Sequence, residues 1–242
     1  MSQDSRSTWH VLGQPLSRPS RRGLLRGGVG AAALLAALGE VSAQSAQAEL
    51  SSYKRTFFSD AEWAFIVAVC ARLIPSDGDG PGAIETHVPI FIDRQMSGDF
   101  GTGVNWFMEG PHNPAADPLL GFQSPLTPAN IYHQGIAAVD AWCKQQHGKV
   151  FAALTPQMQD EVLTATSANK IGIEPAARDF FSLLLQNTKE GYFSDPQYGG
   201  NFKMAAWSYI GFPGARASFR EWAERGNTRY PLGSVAISGE RV

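Results

Sequence analysis

Apolar residues recur at helical spacing between Ser59 and Pro75. Ser59 and Glu62 have the three-residue offset of a capping box, in which each side chain bonds the backbone of the other at the start of a helix. Pro75 cannot continue a helix, so the segment ends before it. We predict a helix that buries one whole face, formed by Trp63, Ile66, Val67, Cys70, Leu73 and Ile74.

Threonine-proline pairs indicate where two further helices begin. Thr127-Pro128 and Thr155-Pro156 each place a capping hydroxyl before a proline, which suits the first turn of a helix. We predict that the first of these helices ends at Gly148. Their apolar sides again follow helical spacing, with Tyr132, Ile136, Val139 and Cys143 in the first and Met158, Val162 and Ala165 in the second.

A fourth long helix is predicted from about Pro175 to Glu190, with Gly191 after it as a left-handed C-cap. Shorter helices are predicted around Ile84 to Met96 and from Ala215 to Arg225. The inner face of the long helix is formed by Phe180, Phe181, Leu184 and Leu185.

The chain shows neither evenly spaced alternating strands nor a strand-helix-strand rhythm. We therefore predict a mainly α fold, a single helical domain with long loops rich in glycine, proline and aromatic residues. Loops longer than about 12 to 15 residues are uncommon in compact domains unless they serve a function or lie against a partner. The loops predicted here are Pro75 to Gly82, Ser97 to Pro128 and Gly191 to Gly214.

Composition narrows the class of protein. The 242 residues are 43% hydrophobic, 11% aromatic and 17% charged, which is typical of a folded chain with a sizeable core. A formal charge of -2 and a pI near 6.2 give no overall attraction for nucleic acid, so we expect no nucleic-acid partner.

Residues 1–48 have the organisation of an export signal. Five arginines lie here against one aspartate and one glutamate, and an apolar run from Leu24 to Leu38 follows the arginines. Glycines and Glu40 make this run too short and too polar for a spanning helix of about 20 residues, so a retained anchor is the weaker alternative to cleavage. Ala46-Gln47-Ala48 supplies a cleavage site, and the predicted mature domain covers 49–242. The arginine motif resembles a twin-arginine signal, whose route exports folded proteins to the periplasm: Ser20, Arg21, Arg22, Leu24 and Leu25.

The sequence carries no complete catalytic or cofactor-binding motif. The histidines at 87, 112, 133 and 147 lack metal-binding spacing, and no phosphate-binding loop, dinucleotide fingerprint or nucleophile elbow is present. Asp77-Gly78-Asp79-Gly80 begins like a calcium loop, but Val88 occupies the position of the required glutamate. We expect no catalytic residue and no cofactor-binding or metal site in this chain.

Cys70 and Cys143 both fall on predicted helices. In the periplasm they could form an internal disulfide, a bond to another subunit, or remain as buried thiols. The sequence does not choose between these three states, because the distance between the two α-carbons is needed.

The C-terminal run from Gly191 to Asn201, with Trp207 and Ile210 to Gly214 beyond it, is the most informative segment. Its glycines permit close backbone approach, and its aromatic side chains require burial. They could fill this domain's own core, form a docking surface, or bind carbohydrate. The candidate interface residues are Tyr192, Phe193, Tyr198, Trp207 and Phe212.

This run, G-Y-F-S-D-P-Q-Y-G-G-N with W-x-x-I-G-F-P-G, resembles the small subunit, subunit 3, of the membrane-bound gluconate 2-dehydrogenase family. The resemblance extends to the first helix, to the segment from Leu73 to Ala83 and to the twin-arginine leader. It implies a noncatalytic subunit of a periplasm-facing complex at the inner membrane. Its partners would be a large FAD-dependent subunit that oxidises a sugar or sugar acid and a multihaem cytochrome c subunit.

The resemblance also implies that the small chain stabilises the catalytic subunit and supplies the signal read by the twin-arginine translocation machinery for both. Two other readings stay open at this point. A free periplasmic sugar-acid-binding protein would use the aromatic loop for its ligand, and a stand-alone redox enzyme would carry its own flavin or haem.

Overall fold

The computed structural model describes residues 10–11, 14–15 and 48–242, apart from positions 79, 107, 114, 122, 227 and 229. The chain divides into two compact units, Met1–Gln44 and Ser45–Val242. In the first unit, strand β1 (His10–Val11) pairs antiparallel with strand β2 (Gln14–Pro15). The predicted twin-arginine motif lies outside the described residues.

The second unit is mainly helical, which confirms the predicted class. Short 3-10 turns connect its longer helices, and within the described part of the chain no helix is long and apolar enough to cross a membrane. After a short helical stretch at residues 48–52, its α-helices are α1 (Asp60–Leu73), α2 (Val88–Ser97), α3 (Asp99–Thr102), α4 (Pro128–His147), α5 (Pro156–Ser167), α6 (Phe180–Phe193) and α7 (Ala205–Ile210).

The three helix starts predicted from capping residues, at Ser59, Thr127 and Thr155, are confirmed. At α1 the Ser59 and Glu62 side chains form the reciprocal capping box. Thr127 accepts a hydrogen bond from the Asn130 amide at 3.3 Å at α4, and Thr155 caps α5 in the same way. Each cap satisfies a backbone amide that the helix itself leaves without an acceptor.

Large apolar side chains from α1, α4 and α6 meet in one core. Phe65, Tyr132 and Phe180 are all at least 99% buried. The Tyr132 hydroxyl donates to Asn187 Oδ1 at 2.8 Å, so this polar group is satisfied inside the core. Gly135 allows the close approach of α4 and α6, because a Cβ there would lie 2.1 Å from the Phe180 ring.

The short helix predicted around Ile84 to Met96 begins only at Val88. Both predicted boundaries of the fourth long helix also differ in the structure. Pro175 begins a 3-10 turn, and α6 begins only at Phe180. The helix then passes through Gly191 and ends at Phe193, so the predicted C-cap at Gly191 is wrong. Packing explains this glycine, since a Cβ at Gly191 would lie 2.8 Å from the Phe91 side chain of α2.

The predicted helix from Ala215 to Arg225 is also wrong, since only a 3-10 turn, Arg220–Trp222, forms there. The Ala215 amide instead donates to the Val235 carbonyl at 2.7 Å, which directs the start of this segment into a pairing with the chain terminus. The loop predicted from Gly191 to Gly214 is itself largely ordered: it contains the end of α6, two 3-10 turns and α7. Contacts distant in sequence therefore decide the structure of both regions.

One buried carboxylate fixes the segment that leads into α1. Asp93 of α2 is fully buried, and its Oδ1 accepts the amides of Phe57 and Phe58 at 3.1 and 3.0 Å. Its Oδ2 accepts the Thr56 amide and hydroxyl, both at 2.7 Å, and the Tyr53 hydroxyl at 3.0 Å. Burial by itself raises the pKa of Asp93, but these hydrogen bonds outweigh it, and the pKa lies below its usual value.

Candidate docking surface

The C-terminal run is held together by side chains that bond its own backbone. Asn201 is fully buried with a left-handed φ of 46°. Its Nδ2 donates to the Ser194 carbonyl at 2.9 Å, and its Oδ1 accepts the Ala206 amide at 2.9 Å. Asn201 thereby joins the end of α6 to the start of α7, and asparagine suits the position because it tolerates the left-handed region.

Asp195 and Ser234 tie the chain terminus to this run. The two carboxylate oxygens of Asp195 accept the Gln197 amide at 3.1 Å and the Ile237 amide at 2.7 Å. The Ser234 hydroxyl donates to the Phe212 carbonyl at 2.6 Å. These bonds fix the backbone from which the aromatic side chains project.

The glycines of the run are explained by close backbone approach. A Cβ at Gly200 would lie 2.1 Å from the Gly191 carbonyl oxygen, and one at Gly214 would lie 2.1 Å from the Val235 carbonyl oxygen. Gly199 has a φ of +99°, a conformation that side chains rarely adopt. These residues maintain the fold and are not themselves candidates for partner contact.

The five candidate interface residues separate into two groups. Tyr192 and Trp207 are each only 6% exposed. The Tyr192 hydroxyl donates to the Pro81 carbonyl at 2.7 Å, and Trp207 Nε1 donates to the Phe193 carbonyl at 2.8 Å. Both side chains therefore belong to this domain's own interior, where they support the surface residues.

Phe193, Tyr198 and Phe212 are exposed, at 47%, 49% and 43%. Tyr198 lies on the 3-10 turn beside α2, where Arg94 Nη1 donates to the Gln197 carbonyl at 3.5 Å. Phe193 and Phe212 each pack against a buried ring, Phe193 against Tyr192 and Phe212 against Trp207, at centroid distances of 4.9 and 5.0 Å. The hydrogen bond from Trp207 Nε1 to the Phe193 carbonyl links these two pairs.

Two residues that sequence reasoning missed extend this surface. Tyr209 and Ile210 end α7, and each is 54% exposed. The Tyr209 ring lies against Gly80, where a Cβ would be only 2.8 Å away. Their position in the sequence could have indicated this exposure. They follow Trp207 on a short helix, and when Trp207 faces the interior, the residues two and three positions later face solvent. We call Phe193, Tyr209, Ile210 and Phe212 the aromatic surface.

Acidic groups lie close to the aromatic surface. Burial raises the pKa of the Tyr192 hydroxyl, and Tyr209, Glu85 and Asp77 raise it further. Asp77 is exposed and Glu85 is half-buried. A partner that covers this surface is therefore favoured if it carries basic side chains at the matching edge.

Both cysteines are buried thiols without a disulfide bond. Burial raises the pKa of Cys70 to about 12. Burial, followed by the nearby Asp140 carboxylate, raises the pKa of Cys143 to about 11. Neither thiol has the lowered pKa of a nucleophile.

The histidines take up separate structural positions. His133 Nδ1 lies 2.5 Å from Glu62 Oε1, and its ring stacks on Phe57. His87 is buried at the start of α2, stacks on Phe202 at 4.1 Å and has Nε2 3.6 Å from Glu49 Oε2. Within the part of the chain that the structure describes, no three or more His, Cys, Asp or Glu side chains form a group that could hold a metal ion. Asp79 of the calcium-like motif lies outside it.

The fold and the aromatic surface together define a small helical domain built to present apolar side chains on a fixed backbone. The family model of gluconate 2-dehydrogenase subunit 3 matches residues 60–214, so the chain belongs to this family. Membership indicates an accessory subunit of a gluconate 2-dehydrogenase, associated with other subunits of the enzyme complex. Neither the curated proteins nor the solved structures with which the chain was compared include a match. The matched range contains the whole aromatic surface.

Proposed function

We propose that this chain is the noncatalytic small subunit of a periplasm-facing, membrane-bound flavoprotein dehydrogenase, and that it binds the FAD-bearing subunit through the aromatic surface. The observation that carries the proposal is that the family match includes an exposed apolar surface on an internally bonded backbone. In this proposal FAD and haem c belong to the partner subunits, and the complex lies at the periplasmic side of the inner membrane.

The size of the aromatic surface supports a docking role. Its four side chains are between 43% and 54% exposed. Since a large aromatic side chain buries about 150–250 Å², roughly 400 Å² of apolar area remains to be covered. At about 25 cal/mol per Å² this area contributes about 10 kcal/mol before the cost of association. That cost is about 4–15 kcal/mol, so the surface serves as a central anchor within a larger interface.

Coexpression with a tagged catalytic subunit tests the docking role. The double variant Phe193→Ser with Phe212→Ser should greatly reduce recovery of this chain with the tagged partner, because it removes half of the aromatic surface. Leu232→Ser is the matched control, since Leu232 is 58% exposed and lies beyond residues 60–214, the range that the family model matches. Thermal unfolding of each variant alone checks that the domain remains folded. Undiminished recovery of the folded double variant would contradict the docking role.

We further propose that the leader of this chain carries the assembled pair through the twin-arginine pathway. Support comes from the Arg21-Arg22 motif and from the apolar run that follows it, Leu24 to Leu38. Changing both arginines to lysine should retain this chain and the flavoprotein in the cytoplasm, as measured by fractionation. Periplasmic flavoprotein at the normal level in that variant, or in cells that lack this chain, would refute the export role.

A further inference from the structure

Two adjacent leucines are presented to solvent far from the aromatic surface in sequence. Leu119 is 92% exposed and Leu120 is 68% exposed. They end the 3-10 turn Pro118–Leu120, inside the long connection between α3 and α4. A single exposed leucine is common on protein surfaces and needs no explanation. Two adjacent leucines that are both this exposed on one turn form a small apolar patch, which we call the leucine patch.

The backbone that carries these leucines is bonded to the body of the domain on both sides. Asp117 Oδ1 accepts the Leu119 amide at 2.9 Å and so fixes the turn. Before the turn, the Ala116 carbonyl accepts Arg178 Nη2 at 3.2 Å. After it, the Ser124 hydroxyl donates to the Ala176 carbonyl at 2.5 Å. The leucines are therefore held outward by a defined scaffold, which lowers the entropic cost of inserting them into a partner.

The exposed area of the leucine patch limits what can cover it. Two leucines expose roughly 200–300 Å², whereas a stable interface buries about 800 Å² on each partner. The leucines alone therefore cannot hold two copies of this chain together. They fit a single pocket within an interface whose remaining area lies elsewhere.

The charged residues of the connection that carries the leucine patch favour a protein partner over a lipid surface. Glu109 and Asp117 are exposed acidic residues of the same connection, ten and two positions before Leu119 in the sequence. Arg178, the basic residue that reaches this segment, bonds the Ala116 carbonyl. Anionic lipid attracts clustered basic residues and is repelled by such acidic neighbours. An apolar protein pocket with a basic rim has the complementary chemistry.

We propose that Leu119 and Leu120 form a second anchor, which inserts into an apolar pocket with a basic rim on the catalytic subunit of the complex. This inference rests on the proposed function, because it assigns the remaining interface to the same partner. It supplies part of the area that the aromatic surface lacks, and it gives the long connection between α3 and α4 a role.

The test uses the full complex, with the dissociation constant measured by mass photometry on dilution. Leu119→Ser with Leu120→Ser should raise the dissociation constant at least 100-fold, since the lost burial corresponds to more than two tenfold steps. The melting temperature of the variant subunit should stay unchanged, because both side chains are exposed. Leu232→Ser again serves as the control, and Glu109→Lys should weaken binding most at low salt.

The outcomes separate this inference from the proposed function. If the unmodified chain forms the complex and the double leucine variant binds equally well, the second anchor is refuted and the proposed function stands. If the unmodified chain does not bind the catalytic subunit, the proposed function fails first. Two other outcomes would overturn the proposal, each with the complex intact. If the double leucine variant loses binding to anionic vesicles, the leucines bind lipid. If it loses a homodimer detected by light scattering, the leucines bind a second copy of this chain.

Discussion

Replacing Asp93 by asparagine tests whether the buried carboxylate holds the segment that enters α1. The aspartate accepts five hydrogen bonds, three of them from the amides of Thr56, Phe57 and Phe58. Asparagine keeps one acceptor oxygen and turns an NH₂ group toward the donors on the other side. The hydroxyls of Tyr53 and Thr56 can rotate to accept from it, but at least one backbone amide cannot.

The expected loss follows from these contacts. One buried amide without an acceptor costs about 1–3 kcal/mol. Hydrogen bonds to the remaining oxygen lose the strengthening that a charged acceptor provides, which adds about 1–2 kcal/mol. The smaller desolvation cost of a neutral side chain offsets part of this. We expect the free energy of unfolding to fall by about 3 kcal/mol at pH 7, measured by urea denaturation with circular dichroism.

The pH dependence gives an independent check. The pKa of Asp93 in the folded protein lies below its ordinary value of 3.8. The carboxylate therefore stabilises the fold fully above that value, and this contribution is lost as the pH falls through the folded pKa. The difference in the free energy of unfolding between the unmodified protein and Asp93→Asn should therefore become smaller as the pH falls through the folded pKa of Asp93. Asp77→Asn, at an exposed carboxylate, should change stability by less than about 0.5 kcal/mol. A loss below 1 kcal/mol for Asp93→Asn at pH 7 would refute the reasoning.

Three further predictions concern packing, protonation and thiol chemistry. Gly135→Ala should lower stability by about 1–3 kcal/mol in urea denaturation because its Cβ would overlap a core phenylalanine, whereas Gly226→Ala, with open space around it, should be neutral. Burial lowers the pKa of His87, the Lys203 charge lowers it further, and Glu49 only partly opposes them. The free energy of unfolding should therefore fall as the pH drops below 6.5 toward the folded pKa, because the unfolded chain binds the proton first. His87→Asn, which tolerates the left-handed backbone, should show a flatter pH dependence in that window; an identical slope would contradict this. Iodoacetamide at pH 8 should modify Cys70 and Cys143 only in denaturant, as read by mass spectrometry; rapid labelling of the native protein would disprove their burial.

Local signals were sufficient where a helix begins with its own cap. Ser59, Thr127 and Thr155 each bond an amide three residues away, so sequence and structure agree at those three positions. The end of α6 depended on a different kind of information. Gly191 looked like a C-cap, but the Phe91 ring that excludes a side chain there comes from α2, a hundred residues earlier.

The candidate surface shows the same division. Tyr192 and Phe193 are neighbours on one helix, and successive helical residues point about 100° apart, so one can be buried while the other is exposed. Which of the two is buried depends on Pro81, whose carbonyl accepts the Tyr192 hydroxyl. Asp93 was missed for a related reason: it is a single acid on an apolar helix face, and its acceptor role became visible only with the segment from Tyr53 to Phe58 in place.

The way the C-terminal run uses its polar groups distinguishes a protein partner from a small sugar acid. A sugar acid presents hydroxyls and a carboxylate, so its site needs polar groups that converge on the ligand. In this run both carboxylate oxygens of Asp195 and both polar atoms of the Asn201 side chain are hydrogen-bonded to the backbone. Trp207 likewise donates its ring N–H to a backbone carbonyl. The side chains left facing solvent at the aromatic surface are instead Phe193, Tyr209, Ile210 and Phe212. A satisfied backbone that projects apolar side chains matches the desolvated centre of a protein interface, which favours a subunit partner over a free sugar-acid ligand.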